Sequence, residues 1–179
     1  MTEIIEAIDD YTNLRYPQLN KKLWGFCELT KKTTKDSSQT IPMTAYGYQE
    51  RKQVALDDRY EFITWQRWVR PLNYEVNDDF SFGRNEAKES VLDLRVVIAH
   101  KVELGENLIF DFVNGLPSQL SIPGFKYVFV DPDISIDPDH EKIYLTELGN
   151  TVYERHRIPW NLYTVDLKFS FIPCEETTP

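Results

Sequence analysis

From Leu162 to Ile172 the chain reads L-Y-T-V-D-L-K-F-S-F-I, and apolar and polar positions alternate. Tyr163, Val165, Leu167, Phe169 and Phe171 share one parity; Thr164, Asp166, Lys168 and Ser170 share the other. Successive strand side chains point to opposite faces, so the pattern predicts a half-buried β-strand with one solvated side. Val91 to Val102 alternates in the same way, with Leu92, Leu94, Val96 and Ile98 against Asp93 and Arg95. Tyr60 to Arg70 is dense in aromatic and β-branched residues and predicts a strand that Pro71 ends. Shorter strands are expected around Leu23–Thr30, Phe125–Ile136 and Ile143–Tyr153, while Met43–Leu56 fits no single period and leaves strand as one reading.

Two segments carry the helical period instead. Ile4, Ile5, Ile8 and Tyr11 form one stripe behind a Thr2 N-cap, with Glu3 and Glu6 suited to the positive end of the helix dipole and Pro17 as the stop. Leu104, Leu108, Ile109, Phe112, Val113, Leu116 and Leu120 recur at steps of three and four from Gly105 onward, and Pro117, Pro123 and Gly124 are expected to end that helix. Lys31–Thr40 and Asn77–Ser90 are polar and without period, so loops are expected near 31–41 and 77–90, with a frayed tail over 174–179. The order of elements predicts a single α+β domain over 1–179. Its sheet is mainly antiparallel, with the N-terminal helix and the second, amphipathic helix packed on one side.

Composition narrows the function classes. A hydrophobic share of 41 % supports a packed core. The ten Tyr, ten Phe and four Trp suit either strands or protein interfaces. With 29 acidic against 20 basic residues the net charge is −9, which disfavours sequence-independent adhesion to a phosphate backbone. Cys27 and Cys174 read as two free thiols in a reducing compartment. The acidic N-terminus does not read as a signal peptide, and no apolar run reaches the roughly 20 residues of a membrane span. A soluble, cytoplasmic product is expected.

Candidate chemistry is sparse. Asp131, Asp133, Ser135, Asp137 and Asp139 place oxygens at every second residue, as the start of a calcium loop does. Ile136 stands where the sharp turn needs Gly, Lys142 stands where a bidentate Glu is needed, and no flanking helix is read there. The segment therefore reads as an acidic edge strand or turn, or as a surface facing a channel or a basic partner. His100, His140 and His156 are scattered, and no glycine-rich phosphate loop or nucleophile elbow occurs. Arg67 and Arg70 flank Trp68, and Arg155 and Arg157 precede Trp160, an adjacency typical of interface anchors. Solvent-facing decoration of strands explains those charges equally well. A dispersed carboxylate pair such as Asp131 and Glu147 would leave no pattern in sequence.

The Ile4–Tyr11 helix, the Gly105–Leu120 helix and the Tyr163–Phe171 strand, in that order around a run of antiparallel strands, resemble the tail-terminator and neck-completion proteins of long-tailed bacteriophages. The likeness is one of pattern, and this chain is longer than is usual for that family through Lys31–Thr40 and Asn77–Ser90. It implies a structural virion protein without enzymatic activity or cofactor. The subunit would form a homo-oligomeric ring, a hexamer being favoured, that joins the tail tube to the head connector. Its partners would be other neck and tail proteins, with DNA only passing through the lumen and no membrane involved. Such a protein is assembled in the host cytoplasm and resides in the virion. Asp131, Asp133, Asp137, Asp139, Arg67, Trp68, Arg70, Arg155, Arg157 and Trp160 would then be candidates for the lumen or the contacts. The competing expectation is a soluble protein-binding module or inhibitor that uses the Tyr60–Arg70 strand as its partner surface.

Overall fold

Gly25, held at φ 63°, lies where the first strand shifts its register against its parallel neighbour, between Leu23 and Phe26. The computed structural model describes residues 2–33, 38–44, 51–69, 73–75, 89–119, 125–130, 135–149 and 159–173. In chain order the elements are α1 (Thr2–Arg15), β1 (Lys21–Thr33), β2 (Ser38–Thr44), β3 (Phe62–Trp68), β4 (Asn73–Glu75) and β5 (Glu89–Lys101). A 3-10 turn (Val102–Leu104) leads to α2 (Asn107–Gln119), β6 (Phe125–Val130), β7 (Ser135–Asp137), α3 (His140–Leu148) and β8 (Trp160–Pro173). The strands follow the order β2-β1-β3-β5-β8-β6, with β4 beside β5 and β7 beside β8. Every pairing is antiparallel except β1 with β3. The α+β class, the mainly antiparallel sheet and the N-terminal helix all stand as expected.

One face of the sheet carries α1 and α2. Ile4, Ile8 and Tyr11 from α1 and Ile109, Phe112, Val113 and Leu116 from α2 pack on Phe62, Leu94, Val96, Ile98, Tyr163, Val165, Leu167 and Phe169. The two helices meet where the Tyr11 hydroxyl donates to the Phe112 carbonyl at 2.6 Å, close over Gly115. A Cβ at Gly115 would lie 2.6 Å from that hydroxyl. Gly115→Ala is therefore expected to break the Tyr11 bond and spread the helices, costing about 1–3 kcal/mol. A urea titration beside Tyr11→Phe checks it: the Gly115→Ala loss should shrink when the hydroxyl is already gone.

The opposite face is covered too, and here several expectations are corrected. Ile143–Leu148, expected as part of a strand, belongs to α3. Asp139 caps that helix by accepting from the Lys142 N–H at 3.0 Å, and Gly149 ends it in the left-handed conformation. Those two end signals outweigh the strand-like Ile143 and Tyr144. α3 lays Ile143 and Leu148 on Ile63, Trp65, Val97, Ala99, Trp160 and Leu162. The solvated side expected for the last strand therefore shrinks to the region of Lys168, because Trp160 through Val165 are buried on both parities.

Other boundaries also move. Lys31–Thr40 is no free loop at its ends: Lys31 pairs with Thr40, Lys32 with Gln39 and Thr33 with Ser38. Turn-poor, β-branched Thr residues join the polar run to a hairpin that its composition hides. α2 runs through Pro117, since a proline in the last turn forfeits a single ladder bond there. α1 already includes Thr2, one residue earlier than a Thr2 cap requires. The expected loop at 77–90 reaches into β5 at Glu89 and Ser90, and the remainder of it lies outside the described residues, as does the tail 174–179.

Candidate functional site

Registry across three strands sets Arg67 of β3 opposite Arg95 of β5, and Arg95 opposite Asp166 of β8. Two like charges directly opposite would repel. Glu147, on α3 and 0 % exposed, lies between them. Arg67 grips it with two bonds, Nε to Oε2 at 2.7 Å and a terminal nitrogen to Oε1 at 2.6 Å. Arg95 adds a contact to Oε1 at 3.3 Å and forks onto Asp166 with two bonds of 2.6 Å. The Asp166 carboxylate and then Glu147 hold the Arg95 guanidinium in its charged form, raising its pKa against the burial that lowers it. Forked, charge-assisted bonds of this kind are the strong and geometrically specific ones. The quartet is balanced in charge and clasps α3 to the sheet. It offers no free carboxylate for proton transfer.

Around Tyr163 the structure gathers two histidines that the sequence left apart. His100 stacks on the Tyr163 ring at 5.4 Å and His140 meets it edge-on at 4.9 Å. His100 Nδ1 lies 3.0 Å from the Lys101 carbonyl, which can only accept, so Nδ1 carries the proton and Nε2 is left as a buried acceptor. Burial pushes the His100 ring below its ordinary range, with Lys101 opposing and His140 adding to the shift. No spacing in the sequence signals this group, because β5, β8 and α3 each supply one ring.

Asp9 of α1 accepts from the buried Gln66 side chain at 3.0 Å. Burial pushes its carboxyl up from 3.8 to about 6, the Gln66 bond opposing and Asp10 and Glu6 adding to it. The folded state thus binds this proton more tightly than the unfolded chain. Its stabilising effect is complete below about pH 4 and is lost as pH rises through about 6. Asp9→Asn is expected to be more stable than the parent by about 1–3 kcal/mol at pH 7.5 and equal to it near pH 4. Denaturant midpoints of the two proteins across pH 4 to 7.5 test this, the difference between them being the signal.

The site residues expected from sequence separate accordingly. Trp160 is 2 % exposed and belongs to the core under α3 rather than to the surface of the chain. Arg67 turns inward to Glu147, and Trp68 packs on Phe26 at 5.0 Å. Asp137 accepts from the Lys142 ammonium at 2.5 Å and Asp139 caps α3, so both organise the β7–α3 corner. A helix does flank the acidic segment, contrary to the expectation. Arg70, Asp131, Asp133, Arg155 and Arg157 lie outside the described residues, as do His156 and Cys174. Cys27 is buried, and burial with the nearby Asp9 pushes its thiol up to about 12. β3 is an interior strand whose Phe62 through Gln66 are buried, so among the described residues of Tyr60–Arg70 only Tyr60, Glu61 and Arg67 to Val69 reach the surface. Among the described residues, no group of three or more His, Cys, Asp or Glu is placed to hold a metal ion. Also among them, no helix is long and apolar enough to cross a membrane.

What stays available is the ribbon. β1 pairs with β3 only as far as Phe26, and from Cys27 to Thr33 its partner is β2. A shallow cleft of about 180 Å³ opens at the divergence, lined by Phe26, Cys27, Glu28, Leu29, Arg67 and Trp68. α3 reaches along the ribbon as far as the Thr40 carbonyl, beside Gly149 and opposite Lys31 in register. Lys31, Thr33 and Thr40 are nevertheless exposed, and Leu29 is 38 % exposed. No known family model matches the chain, and no curated protein matches it in sequence.

Proposed function

We propose that the chain is a structural ring subunit of a bacteriophage neck, a tail-terminator or head–tail completion protein that joins the tail tube to the head connector. The observation that carries this reading is the ribbon. Its inner end is held by α3 and by the 52–54 segment, which bonds to Pro42 and Thr44, while Leu29, Lys31 and Thr33 stay exposed at its outer end for a neighbour to cover. The rest of the molecule suits a rigid building block: both sheet faces are packed, and the charged quartet is spent on holding α3. A net charge of −9 favours an acidic lumen along which DNA slides without adhering. In this reading the subunit resides in the virion after assembly in the host cytoplasm, meets other neck and tail proteins, and performs no catalysis. A ring follows because one surface meets a different surface on the next copy and the rotation closes. Mass by light scattering over a concentration series, with negative-stain imaging, tests it. Closed rings, six-membered by expectation, support the reading. A protein that remains monomeric both alone and with tube and connector proteins overturns it.

A further inference from the structure

We infer that the ribbon of one copy docks on the outer face of α1 of the next copy, with Lys31 against Glu6 and Asp10 and Leu29 against Leu14. The inference rests on the ring reading and names the surface that the ribbon meets.

α1 buries Ile4, Ile8 and Tyr11, so its other side must face outward. Glu6, Asp10, Asn13 and Leu14 are all exposed there and follow one another at steps of four, three and one, a single helical face. Leu14, at 72 %, is the most exposed of the large hydrophobic residues among those described. An acidic stripe ending in a bare leucine is what a basic and apolar strand would match. On the ribbon, Leu29 and Lys31 are two residues apart on one strand face, and both are exposed. Among the described residues, Lys31, Glu6 and Asp10 form no ion pair.

The spacings agree. Two residues along a strand advance about 6.6 Å. The four residues from Leu14 back to Asp10 advance about 6 Å. A ribbon laid antiparallel to α1 therefore puts Lys31 beside Asp10 when Leu29 covers Leu14, with Glu6 one turn further on. The two surfaces differ, so the contact is heterologous and propagates from copy to copy until it closes. Opposite charges at such a rim steer the encounter and reject the wrong register, and salt weakens them.

Three proteins test this: the parent, Lys31→Glu, and the double variant Glu6→Lys with Asp10→Lys. The changed residues are exposed, so circular dichroism and melting temperature should stay close to the parent. Each variant alone should need about tenfold or more protein to assemble, since like charges then face each other. Mixed one to one, the two variants should assemble again, because each ribbon now meets the opposite charge on its neighbour. Parent assembly should weaken between about 0.05 and about 0.5 M salt. If the parent forms rings and both variants do so at the same concentration, this contact is wrong and the ring reading survives. A mixture that fails to recover also overturns the contact. If the parent never assembles, alone or with tube and connector proteins, both fall together.

Discussion

Glu147→Ala is expected to lower the free energy of unfolding by about 3–5 kcal/mol, the loss typical when one partner of a buried ion pair is removed. The carboxylate is fully buried and receives Arg67 through two bonds and Arg95 through a third contact. Without it, among the described residues Arg67 keeps only the Trp68 carbonyl at 3.2 Å, and two guanidinium groups face each other across β3 and β5. Arg95 retains Asp166, so the damage should concentrate on Arg67 and on α3. Urea denaturation gives the loss, and hydrogen exchange should show the α3 amides opening before those of β5 and β8. Glu147→Gln should fall between parent and alanine, because it restores shape and one acceptor but not charge. Arg67→Met combined with Glu147→Leu should recover most of the loss, since an apolar pair of similar volume avoids desolvating two charges. A loss below about 1 kcal/mol for Glu147→Ala, the value of an ordinary surface pair, would show that the quartet does not hold α3 in place.

Gly149→Ala should be nearly as damaging, at about 2–5 kcal/mol. Two causes add. Gly149 sits at φ 68°, which costs an L-residue roughly 1–2 kcal/mol. A Cβ there would also lie 2.1 Å from the Thr40 carbonyl oxygen and 3.2 Å from a methyl of Ile41. The obstacle is backbone, so no rotamer change relieves it; the end of α3 and β2 must move apart. Gly25→Ala is the control. It meets the same left-handed backbone at φ 63° with nothing within 4 Å of its Cβ, and should lose only the first part. Thermal melts of the two variants separate the conformational cost from the contact. Because Gly149 supports the ribbon, assembly should fall more in Gly149→Ala than stability alone accounts for. Equal losses at the two glycines would mean that the α3–β2 contact contributes nothing.

The buried charges show where reading the chain stops. Arg95 and Asp166 occupy the polar parity of two alternating strands, and in a chain read by period such positions belong to water. They are part-buried because α3 brings Glu147 onto them, and the segment forming α3 has strand-like Ile143 and Tyr144 inside it. Its caps, Asp139 and Gly149, were visible as residue types. A cap without a periodic stripe behind it is a weak signal, and α3 buries only Ile143, Glu147 and Leu148.

The sequence by itself determined which residues share a face. Alternation in β5 and β8 and the three- and four-residue steps in α1 and α2 encode one buried side each, and the core under α1 and α2 follows from them. Those periods are local, set by where each backbone points its side chains. What lies over the second face is a matter of long-range packing, and only the tertiary structure decided it. It placed α3 across the supposedly solvated side, joined Lys31–Thr33 to Ser38–Thr40 as a ribbon, and brought His100 and His140 to Tyr163. None of these has a period, because each depends on residues that meet in space from separate elements.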